Sequence, residues 1–284
     1  MLEKAYAKIN LGLDILGKRE DGYHEVAMIM QSIALADEVE LVEATTLQVN
    51  ANTPEVPNGP NNLAYRAAML MAHKFAKPPN VRISIRKKIF TAAGLAGGSA
   101  DAAAVLRGLN KLWQLGLSFA ELESLASELG SDVPFCVRGG TALATGRGEV
   151  VQSLVDLPEL VVLVAKPPFA ISTAWAYQQF SLNKRGNSPD ILALQKAVEQ
   201  AHLPAVYQNM GNVLETVAFN EFPVLAAIKA DLLAAGALVS LMSGSGPTVF
   251  GILESEENGL RIANFLKNKY ALEVKITKTT RRTI

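Results

Sequence analysis

A glycine-rich segment carries the clearest chemical signal in the sequence. Thr-Ala-Ala-Gly-Leu-Ala-Gly-Gly-Ser-Ala-Asp runs from Thr91 to Asp101, after a predicted strand and before an amphipathic helix. At such a junction, free backbone N–H groups and the helix dipole can bind phosphate, and glycine lets the backbone approach it closely. The segment matches neither a Walker A loop nor Gly-x-Gly-x-x-Gly, and a tight connection with no ligand would also suit it. The candidate phosphate-binding residues are Ala92, Ala93, Gly94, Leu95, Ala96, Gly97, Gly98 and Ser99.

A second glycine turn lies far along the chain. It consists of Ser243, Gly244, Ser245, Gly246 and Pro247, between two apolar runs. Alone, this pattern favours a hairpin over a ligand loop. It becomes a candidate ligand loop only together with the first.

Two polar residues share one face of the first predicted strand. Apolar side chains alternate over residues 7–15, so Lys8 and Asn10 fall together on the opposite face. Lys8 could stabilise a developing alkoxide or phosphoryl charge in a cleft. The alternative is an ordinary solvated polar stripe.

Asp132 lies at a predicted chain reversal, Gly-Ser-Asp-Val-Pro. A carboxylate held there could act as a general base towards an attacking hydroxyl, aided by a nearby cation such as Lys8. A helix-capping aspartate is the other interpretation, and the isolated motif favours it.

Tyr23 and His24 follow an Asp-Gly turn and place an aromatic face beside a ring that can donate and accept hydrogen bonds. This pair would suit a flat heterocycle, although a packed tyrosine and a surface histidine are commoner. His73 and His202 show no metal-ligand spacing, and we assign them structural roles.

Composition limits the class of protein. The 284 residues are 49% hydrophobic, and 27 basic side chains balance 27 acidic ones, so no global field favours nucleic acid or an anionic membrane. Cys136 is the only cysteine, which excludes an internal disulfide and a cysteine-based zinc site and fits the cytoplasm. We expect no signal peptide, and the apolar run 157–165 is too short to cross a bilayer.

The elements that must position these residues alternate between strands and helices. Strands are predicted at 7–15, 26–35, 37–43, 81–89, 141–144, 160–165, around the second glycine turn and from 272, and helices at 64–75, 102–113, after Ser118, 191–200, 225–235 and 260–270. Ser118 and Glu121 form a candidate capping box. We expect a boundary between residues 152 and 166, giving domains 1–157 and 158–284.

Three motifs together resemble those of the GHMP kinase superfamily, in the same order. They are Ala-Lys-Ile-Asn-Leu at 7–11, Gly-Leu-Ala-Gly-Gly-Ser at 94–99 and Ser-Gly-Ser-Gly-Pro at 243–247. The resemblance spans nearly the whole chain and implies a two-domain α+β fold. Its N-terminal domain would resemble the second domain of ribosomal protein S5, and its C-terminal domain would be ferredoxin-like.

Two further stretches, at 17–25 and 130–135, resemble the superfamily members that act on 4-diphosphocytidyl-2-C-methyl-D-erythritol. The likeness implies transfer of the ATP γ-phosphoryl group to the 2-hydroxyl of that compound, in the non-mevalonate route to isoprenoid precursors. It implies that Asp132 is the catalytic base and Lys8 its partner. The acceptor side would comprise Asn10, Tyr23, His24, Thr173 and Tyr177, with Tyr177 a second aromatic against the cytosine. Asn62 and Lys88 fall near positions associated with the adenosine.

The motifs also depart from the usual pattern. Phe90 replaces a common proline and Ala100 a common second serine. We expect the loop to survive, with its entry angle and one hydroxyl contact altered. Magnesium is expected from the chemistry, with Ser99 as a candidate ligand.

Two alternatives remain open from the sequence. One is another GHMP kinase acting on homoserine or mevalonate, against which residues 21–24 argue. The other is a non-catalytic RNA-binding module, which the neutral charge balance disfavours. Monomer and homodimer both remain open.

Overall fold

The computed structural model describes residues 1–181 and 188–282 and contains two β-sheets flanked by helices. The strands are β1 (Leu2–Lys18), β2 (His24–Glu43), β3 (Gln48–Ala51), β4 (Val81–Arg86), β5 (Thr141–Thr145), β6 (Val150–Ser153), β7 (Val161–Lys166), β8 (Gly211–Asn212), β9 (Val239–Met242), β10 (Val249–Leu253) and β11 (Glu273–Lys278). The helices are α1 (Leu63–Lys74), α2 (Gly97–Leu112), α3 (Phe119–Ser127), α4 (Val133–Arg138), α5 (Thr173–Gln179), α6 (Ile191–Glu199), α7 (Leu203–Asn209), α8 (Glu215–Glu221), α9 (Pro223–Ala234) and α10 (Glu256–Lys269).

The first sheet has the order β3-β4-β2-β1-β8, with β5 and β6 extending from one half of β2. Strand β2 pairs with β5 through residues 28–31 and with β4 through residues 38–43. The prediction of two strands at 26–35 and 37–43 was therefore wrong, because pairing to β1 continues through Ala36 and Asp37. Asp37 is fully buried, and its carboxylate accepts the backbone N–H of Ile89 at 2.8 Å.

The expectation that β1 has only one buried face was also wrong. Lys8 and Asn10 are 4% and 0% exposed. The turn between β9 and β10 covers this face, because a Cβ added at Gly244 would lie 3.1 Å from Lys8 Nζ and 3.4 Å from Asn10 Oδ1. The polar side of the strand is therefore inside the molecule, where its groups must find partners.

The second sheet is fully antiparallel, with the order β11-β7-β10-β9. Apolar residues of its strands pack with those of α8, α9 and α10, including Leu163, Met242, Leu232 and Ile262. After β11 the chain reaches the first sheet, where Thr280 N donates to Ser32 O at 2.9 Å. The two sheets are thus joined by backbone hydrogen bonds.

Helix termini follow local sequence signals. The capping box at the start of α3 is confirmed, because Ser118 Oγ accepts from Glu121 N and the Glu121 carboxylate accepts from Ser118 N. Helix α2 begins at Gly97, five residues before the apolar period becomes visible. The short helices α4, α5, α7 and α8 were not predicted, because each spans too few residues to show a 3.6-residue period. Within 1–181 and 188–282, no helix has the length and apolar character needed to span a membrane.

Candidate active site

A cavity of about 850 Å³ lies between the two sheets. The glycine segment before and within α2 forms one wall, and Lys166 at the end of β7 with residues 168–173 forms another. Predicted site residues that line it are Lys8, Asn10, Asn62, Ala92, Ala93, Gly94, Ala96, Gly97, Gly98, Ser99, Asp132, Thr173, Gly244 and Ser245.

The N-terminus of α2 opens into this cavity. Ala96 takes the left-handed conformation, with φ of 57°, and Gly97, Gly98 and Ser99 form the first helical turn rather than a loop. This turn carries no acidic residue. Its unpaired N–H groups and the positive end of the helix dipole therefore suit a phosphate.

The two glycine segments pack directly against each other. Gly94 has φ of +74°, and a Cβ added there would lie 2.2 Å from the carbonyl oxygen of Ser243. Ser243 Oγ donates to Gly94 O at 3.0 Å. The second segment is the β9–β10 turn, and it also contributes Gly244 and Ser245 to the cavity. Only glycine fits at position 94.

Lys8 links the first glycine segment to Asp132. Its Nζ donates to Gly94 O at 3.0 Å and to Asn10 Oδ1 at 2.7 Å, and lies 3.8 Å from Asp132 Oδ2. Asp132 precedes α4, but its side chain makes no capping hydrogen bond. Its side chain is 32% exposed and lines the cavity. The capping interpretation therefore does not describe this carboxylate, which can accept a proton from a ligand.

An aromatic group contacts the start of β2. The His24 and Tyr177 rings lie 5.4 Å apart, centroid to centroid. Burial, and then the Lys18 charge, lower the pKa of His24, which favours a neutral ring with one donor and one acceptor. Burial, and then the Asp132 charge, raise the pKa of Tyr177. Tyr177 is thus within range of the Asp132 charge, and its ring contacts His24, the candidate cytosine-binding residue.

Tyr23 and Thr173 are held by other contacts. Tyr23 is 55% exposed, and Arg147 Cζ lies 4.9 Å from its ring centroid. Thr173 Oγ1 and Ser245 Oγ are 3.0 Å apart, so α5 is tied to the second glycine segment. Tyr23 presents an accessible aromatic surface, and Thr173 lines the cavity.

Two of the predicted nucleotide residues face away from the cavity. Lys88 Nζ pairs with Glu38 Oε1 at 2.5 Å and lines a separate cavity of about 400 Å³. Leu95 points into the apolar core, although its carbonyl accepts Lys8 N–H at 3.1 Å. Asn62 lines the main cavity, but it also caps α1 by accepting Ala64 N–H at 2.8 Å. The side chain of Lys88 is therefore not brought to this site.

A buried ion cluster that the sequence did not reveal lies beside the helix start. Lys87 Nζ is 2.6 Å from Asp101 Oδ2 and 2.5 Å from Asp37 Oδ2. Burial raises the pKa of Asp101 to about 7, and the nearby Lys87 charge opposes this rise. Asp101 Oδ1 has no hydrogen-bond partner among the described residues. Lys87 and Asp101 both line the cavity.

Asn212 is a second residue that the sequence did not reveal. Its Nδ2 donates to Met242 O and to Gly244 O, each at 2.8 Å. The amide therefore fixes the β9–β10 turn. No sequence pattern signals this role, because it depends on the distant pairing of β8 with β1.

The two departures from the expected motif have different surroundings. Phe90 is 5% exposed and lines the cavity, and Lys275 Nζ lies 4.7 Å from its ring centroid. Ala100 is 1% exposed and packs in the core. Both positions are filled by apolar contacts, and the glycine segment still packs against Lys8 and Ser243.

Comparisons with known proteins agree with this geometry. The model of the GHMP kinases N-terminal domain matches residues 62–140, and that of the GHMP kinases C-terminal domain matches residues 192–272. The chain belongs to the GHMP kinase family, whose members are small-molecule kinases that use ATP as co-substrate. The predicted two-domain α+β GHMP kinase fold is confirmed.

Particular relatives narrow the likeness. The chain is 48% identical over 266 residues to 4-diphosphocytidyl-2-C-methyl-D-erythritol kinase of Acetivibrio thermocellus, covering 93% of this chain and 94% of the relative. A crystal structure of 4-(cytidine 5'-diphospho)-2C-methyl-D-erythritol kinase is similar with a TM-score of 0.83 and 34% identity, covering 98% of this chain and 99% of the other. A crystal structure of homoserine kinase from Cytophaga hutchinsonii is similar with a TM-score of 0.74 and 18% identity, covering 99% of this chain and 95% of the other. That likeness shows the fold alone.

Proposed function

We propose that this protein transfers the γ-phosphoryl group of ATP to the 2-hydroxyl of 4-diphosphocytidyl-2-C-methyl-D-erythritol, in the non-mevalonate route to isoprenoid precursors. The observation that carries the proposal is the position of Lys8. Its ammonium contacts the carbonyl of Gly94 and lies 3.8 Å from Asp132, so it joins the phosphate-binding segment to the candidate base. The names of the relatives described above supply the acceptor.

Phosphate binding is assigned to the start of α2. The N–H groups of Gly97, Gly98 and Ser99 are free of intrahelical partners and can donate to phosphate oxygens. Gly94 holds this segment against the β9–β10 turn, so the donors are fixed before the nucleotide binds. Preorganised donors stabilise the charge of the transferring group without a further cost of ordering them.

Asp132 is assigned as the general base. Its carboxylate would take the proton of the 2-hydroxyl while the hydroxyl oxygen forms a bond to the γ-phosphorus. The bond from that phosphorus to the β–γ bridging oxygen breaks, and ADP leaves with the electron pair. Lys8 would stabilise the negative charge on the oxygens that are in transfer.

The acceptor's cytosine is assigned to the aromatic group. His24 in its neutral form offers one donor and one acceptor to the base edge, and Tyr23 and Tyr177 offer flat surfaces for stacking. Asn10 is assigned to the substrate side near the transfer centre, and Thr173 to the rim. Tyr177 links the two groups, because its ring lies 5.4 Å from that of His24 and the Asp132 charge contributes to the rise in its pKa.

Magnesium fits this cavity as an ion held chiefly by the nucleotide. Among the residues that the structure describes, no group of three or more His, Cys, Asp or Glu side chains could hold a metal ion. Protein oxygens beside the start of α2 that could contact it include the Ser99 hydroxyl and Asp101 Oδ1, which is buried without a hydrogen-bond partner among the described residues. Such a sparse set is typical of magnesium, which keeps several waters and binds substrate phosphates. When bound, it would neutralise charge on the phosphates.

The wider organisation is also proposed. We place the domain boundary between residues 157 and 158, in the segment between β6 and β7 where the chain passes from the first sheet to the second. The single cysteine supports a cytoplasmic location, and the balanced charge supports the absence of a nucleic-acid partner.

The reaction can be tested by identifying its product. Incubation with ATP, magnesium and 4-diphosphocytidyl-2-C-methyl-D-erythritol should release ADP only when the acceptor is present. Phosphorus NMR should show one new phosphate monoester, attached at the 2-position. ADP release without a new monoester, or a monoester at another hydroxyl, would contradict the proposal.

A further inference from the structure

We infer that Lys166 binds the phosphate chain of ATP, and the inference deepens the proposed use of this cavity for that nucleotide. Lys166 is the last residue of β7, is 9% exposed and lines the main cavity. A buried ammonium group is costly unless a partner offsets its lost hydration. The partners that it has in the structure are weak.

The Lys166 ammonium has two contacts among the described residues. It donates to the carbonyl of the next residue, Pro167, at 3.2 Å. Its nearest carboxylate is Glu273 Oε1, at 3.8 Å, on a side chain that is 64% exposed. A pair at this separation, with its carboxylate exposed to solvent, contributes little. Lys166 can therefore give hydrogen bonds to a ligand without breaking a strong internal pair.

The other two lysines of the cavity are already committed. Lys8 donates to Asn10 and Gly94. Lys87 lies within 2.6 Å of two carboxylates, those of Asp37 and Asp101. Lys166 is thus the least engaged cation in this cavity.

Charge balance in the cavity favours such a cation. The charged side chains lining the cavity are Lys8, Lys87 and Lys166, and Glu55, Asp101 and Asp132, so their formal charges sum to zero. ATP carries several negative charges, and Lys87 is balanced by acidic neighbours. Besides the start of α2 and the expected magnesium ion, a lysine free to turn towards the nucleotide would supply positive charge to its phosphates.

The fold also brings Lys166 to the phosphate side of the cavity. Ala165, the residue before it, pairs with Val249. The residue preceding Val249, Thr248, donates its N–H to Ala93 O in the first glycine segment at 3.4 Å. Lys166 therefore lies at the end of the second sheet that contacts the phosphate-binding segment.

The test compares ADP with adenosine, which lacks the phosphates. Affinities of the full-length protein for each should be measured by calorimetry at one magnesium concentration, in wild type, Lys166→Gln and Lys166→Arg. We expect Lys166→Gln to weaken the binding of ADP by about tenfold or more, because a charge-assisted hydrogen bond is lost. The affinity for adenosine should be unchanged. Lys166→Arg should recover most of the difference.

Lys278→Gln is the matched control, because it removes a lysine of the same sheet that pairs with Glu159 and Glu256 outside the cavity. It should leave both affinities unchanged. Equal losses for ADP and adenosine in Lys166→Gln would show a structural effect and overturn the inference. An unchanged ADP affinity in Lys166→Gln would also overturn the inference. So would a variant that loses affinity for CDP relative to cytidine but keeps its affinity for ADP relative to adenosine.

The test also separates this inference from the proposed acceptor, because neither probe contains the acceptor. If the preference for ADP over adenosine depends on Lys166 but the cytidine compound is not phosphorylated, the inference stands and the acceptor assignment fails. If the compound is phosphorylated and Lys166→Gln keeps the wild-type preference for ADP over adenosine, the acceptor assignment stands and the inference fails.

Discussion

Replacing Gly94 with alanine should separate the two glycine segments and destabilise the protein. The new Cβ would sit 2.2 Å from Ser243 O, in a backbone conformation with φ of +74°. Left-handed backbone costs a non-glycine residue about 1 to 3 kcal/mol. Relief of the clash would also break the hydrogen bonds that Gly94 O accepts from Lys8 and Ser243, each contributing about 1 kcal/mol. Together we expect a loss of roughly 3 to 5 kcal/mol in the free energy of unfolding.

Urea unfolding followed by circular dichroism measures this loss. Gly98→Ala is a matched control, because its Cβ would meet only Leu63 Cδ1 at 3.8 Å, in a helical backbone without positive φ. The control should match wild type or gain up to about 1 kcal/mol. A Gly94→Ala protein within about 0.5 kcal/mol of wild type would refute the packing argument, as would an equal loss in Gly98→Ala.

Three further predictions follow from the site. Asp132→Asn should lower kcat by about 10² to 10⁴-fold and leave ATP affinity nearly unchanged, because it removes a general base; steady-state kinetics with near-wild-type turnover would refute this role. Tyr23→Ala should raise the KM for the cytidine acceptor and leave the KM for ATP alone, because stacking stabilises the bound substrate; a change confined to ATP would contradict the assignment. Burial raises the pKa of Asp101 from 3.8 to about 7 in the folded state. Between pH 3.8 and about 7 the folded protein therefore holds a proton that the unfolded chain releases, so the free energy of unfolding should fall as pH rises through this window. Asp101→Asn should remove this slope from urea unfolding measured at pH 5 and pH 8, and an unchanged slope would contradict the assignment.

The sequence predicted the features that local patterns encode. Ser118 and Glu121 are three residues apart, which is enough to specify the capping box that the structure contains. The glycine segment was placed correctly between a strand and a helix, although Gly97 to Ser99 are the first turn of α2. Lys8 and Asn10 were placed on one face of β1, as the alternation requires.

Features that depend on distant packing could not be predicted. The polar face of β1 is buried because the β9–β10 turn covers it at Gly244, and alternation carries no information about such a cover. Lys87 and Lys88 are adjacent after β4, where the period of the strand ends, so the sequence could not show that Lys87 enters the cavity and Lys88 pairs with Glu38. Asp101 lies in an amphipathic helix, where a polar residue is expected to face solvent. Lys87 joins it to a second carboxylate, Asp37, which is 64 positions earlier in the chain than Asp101.

Acceptor choice tests the central claim most directly. The same protein preparation should be given ATP with 4-diphosphocytidyl-2-C-methyl-D-erythritol, homoserine or mevalonate in turn, and kcat/KM should be measured for each. The account predicts efficient phosphorylation of the cytidine compound and little of the other two, because only the first can engage His24, Tyr23 and Tyr177. Comparable kcat/KM with homoserine or mevalonate would contradict it.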